Sequence, residues 1–186
     1  MTLREYQAKL VRELERIYPN VPIKKEWWAK IGNGFYSPRL DVAVGPFVYD
    51  TLQYWAEYDR LMMPNQLVER LLTIHKQNVH NAGWETCNTS FEELKNKNIN
   101  GRCLLAIEIE NSVSRKHLVG GAINAAALGR IGVVVGWNSE KFYALLKLRK
   151  YLNFLGNVGK NTFDTTNLLV LNREQLLQTL EETRIR

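Results

Sequence analysis

Apolar residues recur at helical spacing from Leu3 through Tyr6, Leu10 and Leu14 to Ile17, with Arg4, Arg12 and Arg16 elsewhere on the cylinder. Residues 3 to 18 are therefore expected to form an amphipathic helix, which Pro19 helps to end. Glu26 to Ile31 is expected as a first strand, Gly32-Asn33-Gly34 as a turn, and the alternating, β-branched segment Arg39 to Phe47 as a second strand. The two strands then make a hairpin. Asn65 to Gln77 reads as a helix with Leu67, Leu71 and Ile74 as its stripe. Asn78 to Asn100, rich in Asn, Thr and Gly, reads as loop with a short helix near Phe91 to Lys95.

From Cys103 the pattern sharpens. Cys103 to Ile109 is an apolar run broken only by Glu108, as a central strand should be. Ser114 to Leu128 is an alanine-rich helix with Val119, Ala122, Ile123 and Ala126 expected on one face, ended by Gly129 in the manner of a C-cap glycine. Ile131 to Val135 is a fully apolar strand. Ser139 to Phe154 is an amphipathic helix, carrying Phe142, Leu145, Leu146 and Leu152. Asn167 to Leu171 is a further strand, and Asn172 with Gln175 makes a capping-box start for a last helix. Strand alternating with helix from 103 to 171 implies parallel strands joined by crossover helices, so the fold class is α/β.

The chain has 186 residues, 45% hydrophobic and 24% charged, which suits one folded domain, 1–186, with an insertion at about 50–100 between strands. A net charge of +6 permits a polyanionic partner without requiring one. Two cysteines, Cys87 and Cys103, make a disulfide framework unexpected and favour an intracellular, cytoplasmic setting. The charged, amphipathic start is unlike a signal peptide. No apolar run approaches the roughly 20 residues that span a bilayer, so no membrane partner is expected.

The chemistry begins with Ala106-Ile107-Glu108-Ile109-Glu110. Successive strand side chains alternate in face, so Glu108 and Glu110 point one way while Ile107 and Ile109 point the other. Two carboxylates side by side on so apolar a strand repel, and desolvation adds to the cost. A divalent cation would remove the conflict; the bland alternative puts Glu110 at an exposed strand end. Asp41 is a second oddity, in a run where Val42 and Val44 face one way and Asp41 and Ala43 the other. Its bland alternative is a strand-start aspartate in a turn. Ser114-Arg115-Lys116-His117 opens a helix whose N-terminal N–H groups suit phosphate, or it is a solvated first turn. Glu13 is expected at the edge of the first stripe, and His75, His80 and His117 have no metal-ligand spacing. Lys24, Lys25, Trp27 and Trp28 mix cations with aromatics, as nucleic-acid surfaces do, but tryptophans in a core beside a lysine-bearing turn are the favoured reading. Gly120-Gly121 has no nucleotide-loop spacing.

An Asp in the second strand, a long gap, then an acidic pair on the third strand followed by a helix resembles the PD-(D/E)XK nuclease superfamily, over roughly residues 3 to 135. The resemblance implies a restriction-endonuclease-like αβββαβ core, a mixed sheet flanked by helices, here with an extra C-terminal helix–strand–helix. It implies Asp41 and Glu108 as ligands of Mg²⁺ (or Mn²⁺), helped by the backbone carbonyl of Ile109. Pro38 stands three residues before Asp41, and Glu110 stands where most members carry lysine; some restriction enzymes of the superfamily carry Glu-x-Glu. Glu110 would then act as general base or hold a second ion, and Lys116 would supply the missing positive charge. Arg39, Arg115, Lys116 and His117 would contact nucleic acid. The expected function is a metal-dependent DNA endonuclease, with DNA as partner and a homodimer compatible with the chain. The alternative class is a catalytically inactive nuclease-fold module for DNA binding or assembly.

Overall fold

Thr2 and Glu5 start the first helix with a reciprocal capping box: the Thr2 hydroxyl accepts the Glu5 amide, and the Glu5 carboxylate accepts the Thr2 amide at 2.7 Å. The helix, α1, runs Leu3–Ile17 and buries Tyr6, Gln7, Leu10 and Leu14. The computed structural model describes residues 1–29, 37–49, 54–63, 65–83, 87–111, 114–160 and 164–183. The elements after α1 are β1 (Ile23–Trp28), β2 (Arg39–Val44), α2 (Trp55–Met62), α3 (Gln66–Asn81), α4 (Phe91–Asn96), β3 (Cys103–Glu110), α5 (Arg115–Leu128), β4 (Gly129–Gly136), α6 (Ser139–Asn157), β5 (Leu168–Asn172) and α7 (Arg173–Glu182).

The five strands form one open sheet in the order β1-β2-β3-β4-β5. β1, β2 and β3 are antiparallel neighbours, and β3, β4 and β5 are parallel. The parallel half is joined by α5 and α6, since parallel neighbours need a crossover connection, usually a helix. Two apolar layers result. On one face Val42, Val44, Ile107, Ile109 and Val133 pack under α1, α3 and α7. On the other, Ala43, Ala106, Val134 and Val170 pack under α5 and α6. The α/β class expected from the pattern is thus present, as a mixed, open sheet flanked by helices. No helix among the described residues is long and apolar enough to cross a membrane.

Several local expectations change. The first strand ends at Trp28 rather than Ile31, and the Gly32–Gly34 turn lies outside the described residues. α2 was not legible, because only Tyr58 and Met62 of its eight residues are buried and one i,i+4 pair is no periodic signal. α3 continues to Asn81, into the stretch expected as loop. α5 buries Leu118, Ala122, Ala125 and Ala126, whereas Val119 is exposed. Gly129 does not cap α5 in a left-handed conformation; with φ −83° it passes directly into β4.

Each sheet edge is managed differently. At β5, the Val170 amide donates to His75 Nδ1 at 3.0 Å, and Asn78 Nδ2 donates to the Val170 carbonyl at 3.0 Å. Two side chains of α3 thereby occupy edge groups that would otherwise invite another strand. At β1 the edge carries exposed Lys24 and Lys25, a second recognised guard.

Helix α5 lies unusually close to β4. A Cβ on Gly132 would meet the Ala125 backbone at 2.7 Å, whereas one on Gly120 would meet nothing within 4 Å. Gly132→Ala is therefore expected to cost about 1–3 kcal/mol, because backbone must shift to admit it. Gly120→Ala should instead gain about 0.5–1 kcal/mol from helix propensity. Urea unfolding of the two variants checks this; equal effects would contradict the packing account.

Candidate active site

β2 and β3 pair through Val42↔Ile107 and Ala43↔Ala106, so continuing the register sets Asp41 opposite Glu108. Their carboxyl groups are hydrogen-bonded to each other. Asp41 is held from two further sides: its Oδ2 accepts the Ile109 amide at 2.7 Å, and its Oδ1 accepts Gln7 Nε2 at 2.9 Å. The same Gln7 amide group donates to Glu26 Oε1 at 3.3 Å. Glu26 lies across β1 from Asp41 by the strand register, and its φ of 51° is the one left-handed non-glycine conformation among the described residues. Strain of this kind concentrates where surroundings over-determine a residue. Glu26 Oε2 also meets Arg39 Nε at 2.7 Å.

Asp41 and Glu108 sit in a cleft of about 410 Å³ that also admits Arg39, Glu110, His117 and Asn124. One wall is α5, whose Gly120 and Gly121 present no side chain; a Cβ on Gly121 would lie 3.7 Å from Glu108 Cβ. Asn124 hydrogen-bonds Glu108 from the same wall.

Burial is the main force on both carboxyls. It pushes Glu108 up to about 9, with the Asp41 and Glu110 charges adding to the rise and Asn124 opposing it. Burial also raises Asp41, but the Ile109 amide holds it back, and Glu108 donates to it. Within the pair Glu108 is thus the proton donor and Asp41 the acceptor.

The residues read from the sequence divide unevenly. Asp41, Glu108, Glu110 and Ile109 meet in the cleft, with Arg39 and His117 at its rim. Glu110 is not at an exposed strand end: it is only 9% exposed. Ile109 reaches Asp41 through its amide. Lys116 is exposed and does not line the cleft; His117 does. Arg115 opens α5, and its side chain lies outside the described residues. Glu13 pairs with Arg16 at 2.9 Å, away from the cleft. Trp27 is buried and stacks on Phe47, while Trp28 is half-exposed. Two residues were missed, Gln7 and Asn124. Gln7 follows Leu3 by four and precedes Leu10 by three, so a polar side chain on the buried stripe was its signal.

Among the described residues, no group of three or more His, Cys, Asp or Glu forms a ready-made metal centre. The Asp41–Glu108 pair nevertheless suits Mg²⁺ or Mn²⁺, ions that are commonly bound by one or two carboxylates with water and phosphate oxygens completing the shell. Two carboxyls forced to share a proton are a donor set that a hard cation would satisfy. Compared with protein-family models, curated proteins and solved structures, the chain matches none of them.

The raised carboxyl fixes a stability trend. A group raised in the folded state contributes stability below its unfolded value, here the ordinary 4.5, and loses it as pH rises towards about 9. His75 acts in the opposite sense: burial pushes it down to about 3 from 6.5, so its contribution is lost as pH falls through that window. Metal-free wild type should lose stability between about pH 5 and 9 relative to Glu108→Gln, in which the neutral amide replaces the protonated acid. Parallel pH–Tm curves for the two proteins would refute the assignment.

Proposed function

We propose that the chain is a Mg²⁺- or Mn²⁺-dependent endonuclease of the PD-(D/E)XK type, hydrolysing DNA phosphodiesters in the cytoplasm. The observation that carries the reading is the hydrogen-bonded Asp41–Glu108 pair in an open cleft with Glu110 beside it. With α2, α3 and α4 taken as an insertion between β2 and β3, the remaining order α1–β1–β2–β3–α5–β4 is the one the superfamily resemblance implies, and it supports the reading. A net charge of +6 favours a polyanionic substrate.

Asp41 and Glu108 would hold the ion, with the Ile109 carbonyl beside them. When bound, the ion supplies Lewis-acid polarisation of the phosphate and a more acidic water. Gln7 and the Ile109 amide fix the Asp41 carboxylate, so its oxygens are oriented before substrate arrives. Glu110 takes the proton of the attacking water as general base. His117 and Arg39 at the rim, with Lys116 on the adjoining turn, contact phosphate. Lys116 reaches the developing charge from outside the cleft on its long stem.

A second reading, a nuclease-fold module that binds DNA without cutting it, is favoured by one feature: Glu110 stands where most members of the superfamily have lysine. Cleavage of plasmid and single-stranded DNA separates the two. Wild type should cleave with Mg²⁺ or Mn²⁺, Asp41→Asn should fall to background, and Lys116→Ala should lose about 10²-fold in rate with little loss of DNA binding. No metal-dependent cleavage by wild type would favour the second reading, and Glu110→Lys would then be expected to restore some. Equal rates for wild type and Lys116→Ala would remove Lys116 from the mechanism alone.

Metal should also stabilise the fold by mass action. Mn²⁺ at about a hundred times its Kd is expected to raise Tm by about 5–10 °C, and Asp41→Asn should abolish the rise. A wild-type melting curve unchanged across Mn²⁺ concentrations would count against the site.

A further inference from the structure

Lys24 is an exposed lysine that the chain holds in place. Its ammonium lies 5.0 Å from the Phe47 ring centre and donates to the Tyr49 hydroxyl at 2.7 Å. Trp27 Nε1 donates to the same hydroxyl oxygen at 3.2 Å. Trp27 is buried and stacks on Phe47 with ring centres 4.7 Å apart, so the platform under Lys24 is anchored in the core. No carboxylate pairs with Lys24 among the described residues. The one acid of its strand, Glu26, is engaged by Arg39 and Gln7 instead. Guarding the β1 edge needs a lysine's charge but not its immobilisation, which costs rotamer freedom. The Tyr49 oxygen, with two donors on it, is filled as an acceptor, so its own proton is left to donate outward. Tyr49 is 45% exposed. Burial works against ionisation of this phenol, but the hydrogen bonds from Lys24 and Trp27 and the Lys24 charge bring it below its ordinary value, which makes it a better donor. An ammonium and a hydroxyl proton side by side, with no acid taking either, are a donor pair for an anionic oxygen.

We propose that Lys24 and Tyr49 form a phosphate subsite that holds the sugar–phosphate backbone of DNA beside the cleft. The inference rests on the nuclease reading for its choice of polyanion, which the net charge of +6 also favours. Position carries the rest. Lys24 stands opposite Ala43 in the β1–β2 register, two residues along β2 from Asp41. Ala43 packs with the residues of α5, the helix that walls the cleft, so the subsite and the cleft share one face of the sheet. Two residues at ~3.3 Å each along the strand and one strand spacing of ~4.8 Å set the two backbone positions about 8 Å apart. A DNA strand covers that distance in about two or three nucleotides at ~3.4 Å of rise each. A strand whose scissile phosphate lies at Asp41 and Glu108 thus brings a neighbouring phosphate to Lys24.

Fluorescence anisotropy of the full chain with a labelled DNA duplex of about 20 base pairs, in EDTA and across about 0.05–0.2 M salt, tests the subsite without cleavage intervening. Lys24→Met keeps the stem on Phe47 and removes the charge. It should weaken binding about 10-fold at the lowest salt and reduce the slope of log K against log salt by about 0.9, the loss of one phosphate contact. Tyr49→Phe keeps the ring and the lysine and removes only the hydroxyl. It should weaken binding about 5-fold with the salt slope nearly unchanged. Lys147→Ala removes the same charge from an exposed position on α6 and should change affinity by less than about 2-fold. Wild type that fails to bind the duplex overturns the proposal, as do variants that bind as tightly as wild type. Wild type that binds poly-glutamate as tightly as the duplex overturns it too, because the pair then reads carboxylates. The subsite and the nuclease reading fail separately. A wild type that binds but never cuts, with binding weakened in Lys24→Met and Tyr49→Phe, keeps the subsite and removes the catalysis. A wild type that cuts while both variants bind normally keeps the catalysis and removes the subsite.

Discussion

The Asp41 carboxylate accepts the Ile109 amide across the β2–β3 boundary, and the organisation of the cleft follows from that bond. It brings a polar side chain into the sheet just beyond the Val42↔Ile107 pair, and it places Asp41 against Glu108. Gln7 adds a second donor from α1, so the first helix is tied to the same carboxylate. What remains unresolved is electrostatic: Glu108 has a buried carboxyl with Asp41 and Glu110 both raising its pKa. A proton settles the conflict in the metal-free chain, at the cost of a carboxyl kept neutral far above its ordinary range.

Such an arrangement adds little to folding, and the rest of the molecule is built to tolerate it. The apolar layers on both faces of the sheet are filled, and the β5 edge is closed by His75 and Asn78. Glycine in α5 keeps the wall over Glu108 bare, while Gly132 lets the same helix settle on β4. The cleft therefore stays open beside a tightly packed helix. Local rules are broken together at one place: Glu26 in a left-handed conformation, Asp41 in a strand, and Glu108 buried. Natural chains keep such violations mostly where function requires them.

Strand parity was the most legible part of the site. Alternation alone separated Ile107 and Ile109 from Glu108 and Glu110, and Val42 and Val44 from Ala43, and the two apolar clusters divide the same way. Parity failed one step further along β2, where Leu40 joins the cluster of Ala43 rather than that of Val42. The break coincides with the left-handed Glu26 on the facing strand, a backbone feature that no side-chain pattern announces. On α5 the cleft-lining residues His117, Gly120, Gly121 and Asn124 follow helical spacing, so Lys116, about 100° of rotation from His117, was the less consistent choice for the rim. Gln7 was readable in principle, as a polar residue on a buried stripe. Its partners were not, because which strand lies under α1 is a tertiary fact.

The account stands or falls on whether Asp41 and Glu108 give up their shared proton to a cation. Calorimetric titration of the metal-free protein with Mn²⁺ at neutral pH, repeated in buffers of different ionisation enthalpy, counts the protons displaced. Ligands must be deprotonated to bind, so the account predicts one ion per chain with release of about one proton, and loss of both in Asp41→Asn. An absence of binding heat, or binding that releases no proton and survives Asp41→Asn, would contradict it.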